Sequence, residues 1–85
     1  MTREEARLAV RHNSEITDKN GIHGYAYLLM WFHFKGKDPY EAVGYYDLNA
    51  NCVYQAPISD LTVTDWKIPN YMVQDMLANI KIKTD

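Results

Sequence analysis

The sequence predicts one α+β domain: an N-terminal helix, a small antiparallel β-sheet, a short helical turn and a C-terminal helix. Three features point there. Thr2-Arg3-Glu4-Glu5 is a capping box at the head of an Ala-containing stretch. Tyr25 to Phe34 is an aromatic-rich run bounded by glycines. Val73, Met76, Leu77 and Ile80 recur at helical spacing near the end.

In a T-x-x-E box the threonine oxygen accepts from the amide three residues on, and the glutamate reaches back to the threonine amide. A helix is therefore expected from about Arg3 to His12, ending at Asn13-Ser14. Glu15-Ile16-Thr17 reads as a short strand. Asp18-Lys19-Asn20-Gly21 reads as a turn, because Asn-Gly tolerates positive φ. Both alternating phases of Tyr25–Phe34 are apolar, which fits a strand covered on both faces or a buried helix; its glycine boundaries and aromatic content favour the strand. Glu41–Tyr46 and Asn51–Gln55 are the arms of a hairpin. Its turn is Asp47-Leu48-Asn49-Ala50, with Asn49 or Asn51 suited to a left-handed position. Ala56 to Leu61 reads as a helical turn with Pro57 at a first helical position. Asp65–Ile68 is extended and stopped by Pro69, and Tyr71–Asn79 forms the second helix with one apolar face. Residues 1–80 make the domain, and 81–85 are a charged tail expected to fray.

Composition narrows the function. Eighty-five residues place the chain near the size at which a single core barely suffices. Cys52 is the only cysteine, so no internal disulfide can help. Association into a homo-oligomer is the expected extra source of stability, and a lone thiol fits a reducing, cytoplasmic compartment. The charged residues after Met1 read as a helix start rather than a secretory leader. The longest apolar run, Tyr25–Phe34, is about half the length a membrane-spanning helix needs. Nine basic against eleven acidic residues give a net charge of −2, which argues against general nucleic-acid binding but leaves room for a small phosphorylated ligand.

The residue types that do chemistry are scattered. His12, His23 and His33 share no metal-ligand spacing with one another or with Cys52, and His33 reads as a hydrogen-bonded core or interface residue. Asp47-x-Asn49-x-Asn51 copies the start of a calcium loop, but the glycine and the bidentate glutamate that should follow are Cys52 and Ile58, so it reads as a polar turn. Cys52 has no neighbouring cation in sequence to activate it. Ser14 and Ser59 lack a nucleophile elbow, and the four glycines form no phosphate loop. No catalytic residue, metal or cofactor is expected, and the chain reads as a binder rather than an enzyme. Arg3, Arg7 and Arg11, its only arginines, share one helix stripe at i, i+4, i+8. That stripe is either a solvated face or an anion-facing row, since guanidinium forks match phosphate.

The stretch Tyr54-Gln55-Ala56-Pro57-Ile58-Ser59-Asp60-Leu61-Thr62-Val63-Thr64-Asp65-Trp66 resembles the C-terminal signature of the second class of Thoeris anti-defence proteins. These are small phage sponges that sequester cyclic ADP-ribose-type signalling nucleotides. The signature is an aromatic residue, a polar helical turn, an Asp-Leu pair and then Asp-Trp before a short strand. The order of elements over the first 68 residues is similar too. The chain departs from the pattern in having Tyr54 for the usual tryptophan, Asn20-Gly21-Ile22 where the family has a Gly-Trp pair, Thr62 and Val63 after Asp60-Leu61, and an added segment from Pro69 to Asp85. The resemblance implies a nucleotide held without hydrolysis in the cytoplasm of an infected bacterium. Tyr54 or Trp66 would stack on a base. Lys67, Arg3, Arg7 or Arg11 would meet phosphate, and Asp65 would either hold ribose hydroxyls or anchor the following strand; Asp60 reads as a helix cap. The alternative is a small phage protein that inhibits a host defence protein, such as a nuclease, by direct binding.

A chain this short with one element apolar on both phases is expected to be a dimer or larger. Light scattering at micromolar concentration checks this, and a monodisperse species with the mass of one chain would refute it.

Overall fold

A computed structural model describes residues 1–85 except Phe34, Leu48 and Asp85; the side chains of Asp65, Ile82, Lys83 and Thr84 also lie outside the described residues. The elements are α1 (Arg3–His12), β1 (Ser14–Asp18), β2 (His23–Phe32), β3 (Tyr40–Asp47), β4 (Cys52–Pro57), a 3-10 turn (Ile58–Asp60), β5 (Leu61–Lys67) and α2 (Asn70–Thr84). The strands form one antiparallel sheet in the order β4-β3-β2-β1-β5.

Most elements follow from local chemistry. The capping box is formed: Thr2 Oγ1 accepts from the Glu5 amide at 3.1 Å, and the Thr2 amide donates to Glu5 Oε1 at 2.9 Å. Asn13 ends α1 in the left-handed region at φ 51°, and Asn51 takes the corresponding position in the β3–β4 turn at φ 54°. Pro57 differs from expectation. It is the extended residue before the 3-10 turn, which has no side-chain cap. Asp60 closes that turn, and its carboxylate lies 3.5 Å from Lys19 Nζ, so it is an ion-pair partner rather than a cap. β5 begins four residues before the expected Asp65. α2 continues through Lys81 to Thr84, where a frayed tail was expected.

Helices cover both faces of the sheet. On one, Ala6 and Ala9 of α1 pack with Ile16, Ala26, Val43, Tyr45 and Leu61. On the other, Met76 and Ile80 of α2 pack with Tyr46 and Ile68, flanked by Tyr25, Tyr27 and Val53. β2 serves both cores through a bulge. Ala26 pairs with Tyr45 and Leu28 with Gly44, so Tyr27 is an extra residue opposite no partner. The insertion reverses the alternation: Ala26 and Leu29, three apart, both join the α1 core, while Tyr25 and Tyr27 join the α2 core. Gly44 makes room for the bulged ring, since a Cβ there would lie 3.1 Å from Tyr27 Cζ.

Beyond the bulge, β2 is less covered than its composition implied. Leu28 is exposed, Trp31 is 53% exposed, and His33 stands exposed past the strand end rather than in the core. Phe34, included in the expected strand, lies outside the described residues.

Gly24 is buried where a Cβ would come within 2.8 Å of the Tyr45 ring and 3.0 Å of the Tyr46 carbonyl oxygen. The backbone oxygen cannot yield as a side chain could. Gly24→Ala is therefore expected to cost about 1–3 kcal/mol, in the range of overpacked sites. Chemical denaturation measures this, and an unchanged midpoint would show that β2 and β3 move apart freely.

Candidate ligand cleft

The β1–β2 turn is built on one carboxylate. Asp18 Oδ1 accepts from the amides of Asn20 at 2.8 Å and Ile22 at 2.9 Å, while Oδ2 accepts from the Tyr45 hydroxyl at 2.9 Å. The backbone closes the same loop, with Gly21 donating to the Asp18 carbonyl and Asp18 to the Ile22 carbonyl, each at 3.0 Å. Gly21 takes the positive φ that the Asn-Gly pair allows, at 83°.

Tyr45, pinned by its hydroxyl, supports Tyr54 on the neighbouring strand. The two rings are cross-strand partners and lie stacked, with centroids 5.7 Å apart and an interplanar angle of 26°. Together with the turn they line a cleft of about 320 Å³, at the lower end of the range of small-ligand sites. Lys19, Asn20, Gln55 and Asp60 supply polar groups around the aromatic pair. The Lys19–Asp60 pair is a surface contact of the kind worth little to stability, so the ammonium can exchange its carboxylate for an incoming anion.

Protonation is set by the same contacts. Burial alone would raise the Asp18 pKa, but the amides of Ile22 and Asn20 and the Tyr45 hydroxyl outweigh it and hold the carboxyl below its usual range. Burial pushes the Tyr45 hydroxyl well above its usual value, with the hydrogen bond to Asp18 and its charge adding to the effect. Tyr54 is also raised, first by desolvation and then by the nearby Cys52 and Asp47. Both phenols remain neutral donors at physiological pH.

Of the site residues expected from sequence, Tyr54 is the only one among the described residues that lines this cleft. Arg3 lies elsewhere: its guanidinium pairs with the carboxylate of Glu41 and sits 5.2 Å from the centroid of the Trp31 ring. Arg7 and Arg11 are exposed on α1. Lys67 lines a separate groove of about 290 Å³ between α1 and β5, with Leu8 and His12. Trp66 is 73% exposed, so it is no part of the core. A register change explains its position. β5 pairs Val63 with Ile16 and then Lys67 with Ser14, so extra residues accumulate between them. Thr64 Oγ1 stabilises that irregularity by donating to the Glu15 carbonyl at 3.1 Å and accepting from the Trp66 amide at 3.3 Å. The side chain of Asp65 lies outside the described residues. The arginine stripe and the Tyr54-to-Trp66 segment thus do not converge on one pocket.

The calcium-like segment is a turn whose polar atoms serve the fold. Asp47 Oδ1 accepts from the amides of Asn49 and Ala50, and Asn51 Oδ1 accepts from the Tyr46 hydroxyl. Sequence reasoning missed Asp18, Lys19 and Tyr45 as site residues. The turn was legible, but nothing in the spacing says that Tyr45, 27 positions on, returns to Asp18.

Comparison of the chain with protein families, with curated proteins and with solved structures finds no match. No helix among the described residues is long and apolar enough to cross a membrane.

The Asp18–Tyr45 bond makes stability pH-dependent at both ends. A depressed carboxyl contributes fully above its unfolded pKa of about 3.9 and loses that contribution as pH falls through the lower folded value. A raised phenol contributes fully below about pH 10 and loses it as pH rises toward the folded value. Asp18→Asn is expected to flatten the acid limb and Tyr45→Phe the alkaline limb of a stability–pH curve measured by urea unfolding. Curves parallel to the parent at both ends would show that the pair does not bind protons differently on folding.

Proposed function

We propose that this protein is a non-catalytic binder of a small phosphorylated nucleotide, held in the cleft at Tyr54. The observation that carries this reading is the Tyr45–Tyr54 stack, in which buried Tyr45 backs the half-buried Tyr54 ring beside Lys19. Stacking on an aromatic side chain suits any nucleobase. Lys19 supplies a phosphate partner, and Asn20, Gln55 and Asp60 supply donors and acceptors for a sugar or base edge. The neutral phenols and the absence of an activated nucleophile in the sequence fit storage rather than turnover.

The resemblance centred on Tyr54–Trp66 extends the proposal. The protein is a phage anti-defence sponge for a cyclic ADP-ribose-type immune signal, acting as a homo-oligomer in the bacterial cytoplasm. The phosphate role passes from the arginine stripe to Lys19, because Arg3 is engaged with Glu41 and Trp31 and neither Arg7 nor Arg11 lines the cleft. A second reading, inhibition of a host protein, draws on exposed Trp31, Trp66 and Tyr71, since tryptophan, tyrosine and arginine dominate protein-binding hot spots.

Calorimetric titration with cyclic ADP-ribose isomers and cyclic di- and trinucleotides tests the proposal. The ligand is then recovered by heat denaturation and chromatography. Tyr54→Phe is expected to retain binding and Tyr54→Ala to lose about tenfold or more, the value of one stacked base. Lys19→Ala should weaken binding about tenfold to a hundredfold. No binding across the panel would sink the sponge and favour the protein inhibitor. Recovery of a cleaved nucleotide would instead make the protein an enzyme.

A further inference from the structure

A second cavity meets the Tyr54 cleft at the β1–β2 turn, where Ile22 lines both. Its volume is about 390 Å³, and it opens between that turn and the β3–β4 turn at one end of the sheet. Cross-strand pairing assembles it: Glu15 faces Tyr25, and Tyr25 faces Tyr46, across β1, β2 and β3. Asp47 and Asn49 close it from the second turn, and His23 and Gly24 from the start of β2.

Carboxylates dominate its charge, with His23 as the one titratable base among the described lining residues. Glu15 and Asp47 bring two carboxylates, and among the described residues that line it none is lysine or arginine. The Glu15 side chain is largely buried, and its Oε1 lies 3.3 Å from Thr64 Oγ1 and 3.8 Å from His23 Nδ1. Its charge reaches the neighbouring ring, since the Tyr25 hydroxyl is raised by burial and then by Glu15. Asp47 Oδ1 is held by the amides of Asn49 and Ala50, which fixes the carboxylate at the rim. The half-buried Tyr25 ring beside two carboxylates offers a quadrupole and a counter-charge to the same guest. With His23 neutral, the charged groups of the lining are the two carboxylates, which favour a cation over an anion.

We propose that the cavity between the β1–β2 and β3–β4 turns is a binding site for an organic ammonium group, held by Glu15 and Asp47 against Tyr25. This site is separate from the Tyr54 cleft, and the proposal stands whatever that cleft binds. The same ammonium chemistry occurs on a free polyamine and on the lysine side chain of another protein, so the source is settled by which one binds better.

Amide chemical shifts recorded during titration test this, with sodium chloride balancing ionic strength. The probes are n-butylammonium, spermidine and a blocked Gly-Lys-Gly peptide, with n-butanol as the neutral counterpart. Saturable shifts are expected at His23, Gly24, Tyr25 and Asn49 with the three cations and not with the alcohol. Glu15→Gln, which keeps the side-chain shape, should weaken binding about tenfold, as expected for loss of a charge-assisted contact. Asp47→Asn carries the same test where Glu15→Gln fails to fold. Tighter binding of spermidine assigns the site to polyamines, and tighter binding of the peptide assigns it to a partner's lysine. Absence of saturable shifts, equal shifts with butanol, or affinity unchanged in a folded charge-neutral variant would each overturn the proposal.

Discussion

β2 must feed two cores from one strand, and the bulge at Tyr27 is what allows it. A regular strand sends every second side chain to the same face. With strict alternation, Ala26 and Leu29 would point to opposite faces, yet both pack beneath α1. The extra residue at Tyr27 resolves the conflict by resetting the phase between Ala26 and Leu28. The segment before it gives Tyr25 and Tyr27 to α2, and the segment after it returns Leu29 to α1. Gly44 opposite the bulge is the matching concession on β3, because a side chain there would meet the Tyr27 ring.

The same division explains the adjacent pair Tyr45-Tyr46. Alternation sends one ring to each core, and both are nearly inaccessible to water. A buried phenol needs a hydrogen-bond partner. Tyr45 finds Asp18 in the β1–β2 turn, and Tyr46 finds Asn51 in the β3–β4 turn. No buried side-chain polar atom among the described residues lacks a partner. In a chain too small for a deep core, the tyrosines fill volume with their rings and fasten both turns with their hydroxyls. The turns in turn wall the two cavities, so packing and recognition share the same residues.

Local signals made much of this fold legible. The Thr2–Glu5 capping box, the Asn20-Gly21 turn and the 3–4 spacing from Val73 to Ile80 each encode structure within one turn of chain, and all three elements formed. Composition marks the aromatic run as a strand, but apolarity on both phases does not amount to coverage of both faces. Both faces stay apolar beyond the bulge, yet Leu28 and Trp31 are exposed there. Sites were less legible, because they depend on which strands become neighbours. Arg3, Arg7 and Arg11 share a stripe as spacing requires, yet Arg3 ends against Trp31 and Glu41 from two different strands. Trp66 was expected to line a site, but the irregularity between Val63 and Lys67 turns it outward.

The Tyr54 cleft and the Glu15 cavity meet at the β1–β2 turn, and Ile22 lines both. Two sites sharing a wall invite coupling, but coupling requires a wall with two arrangements. This turn has five hydrogen bonds directed at Asp18 and its backbone neighbours, including the Tyr45 bond to the core. Shifting it toward either cavity would strip a carboxylate of amide donors, at a cost of the order of 1–3 kcal/mol for each charged bond lost. A ligand recovers that cost only by binding the displaced turn correspondingly better. The sites differ in their cations: Lys19 lines the Tyr54 cleft together with the carboxylates of Asp18 and Asp60, whereas no lysine or arginine is among the described residues that line the Glu15 cavity. A partition fastened in this way keeps the groups of both sites in place whichever of them is filled.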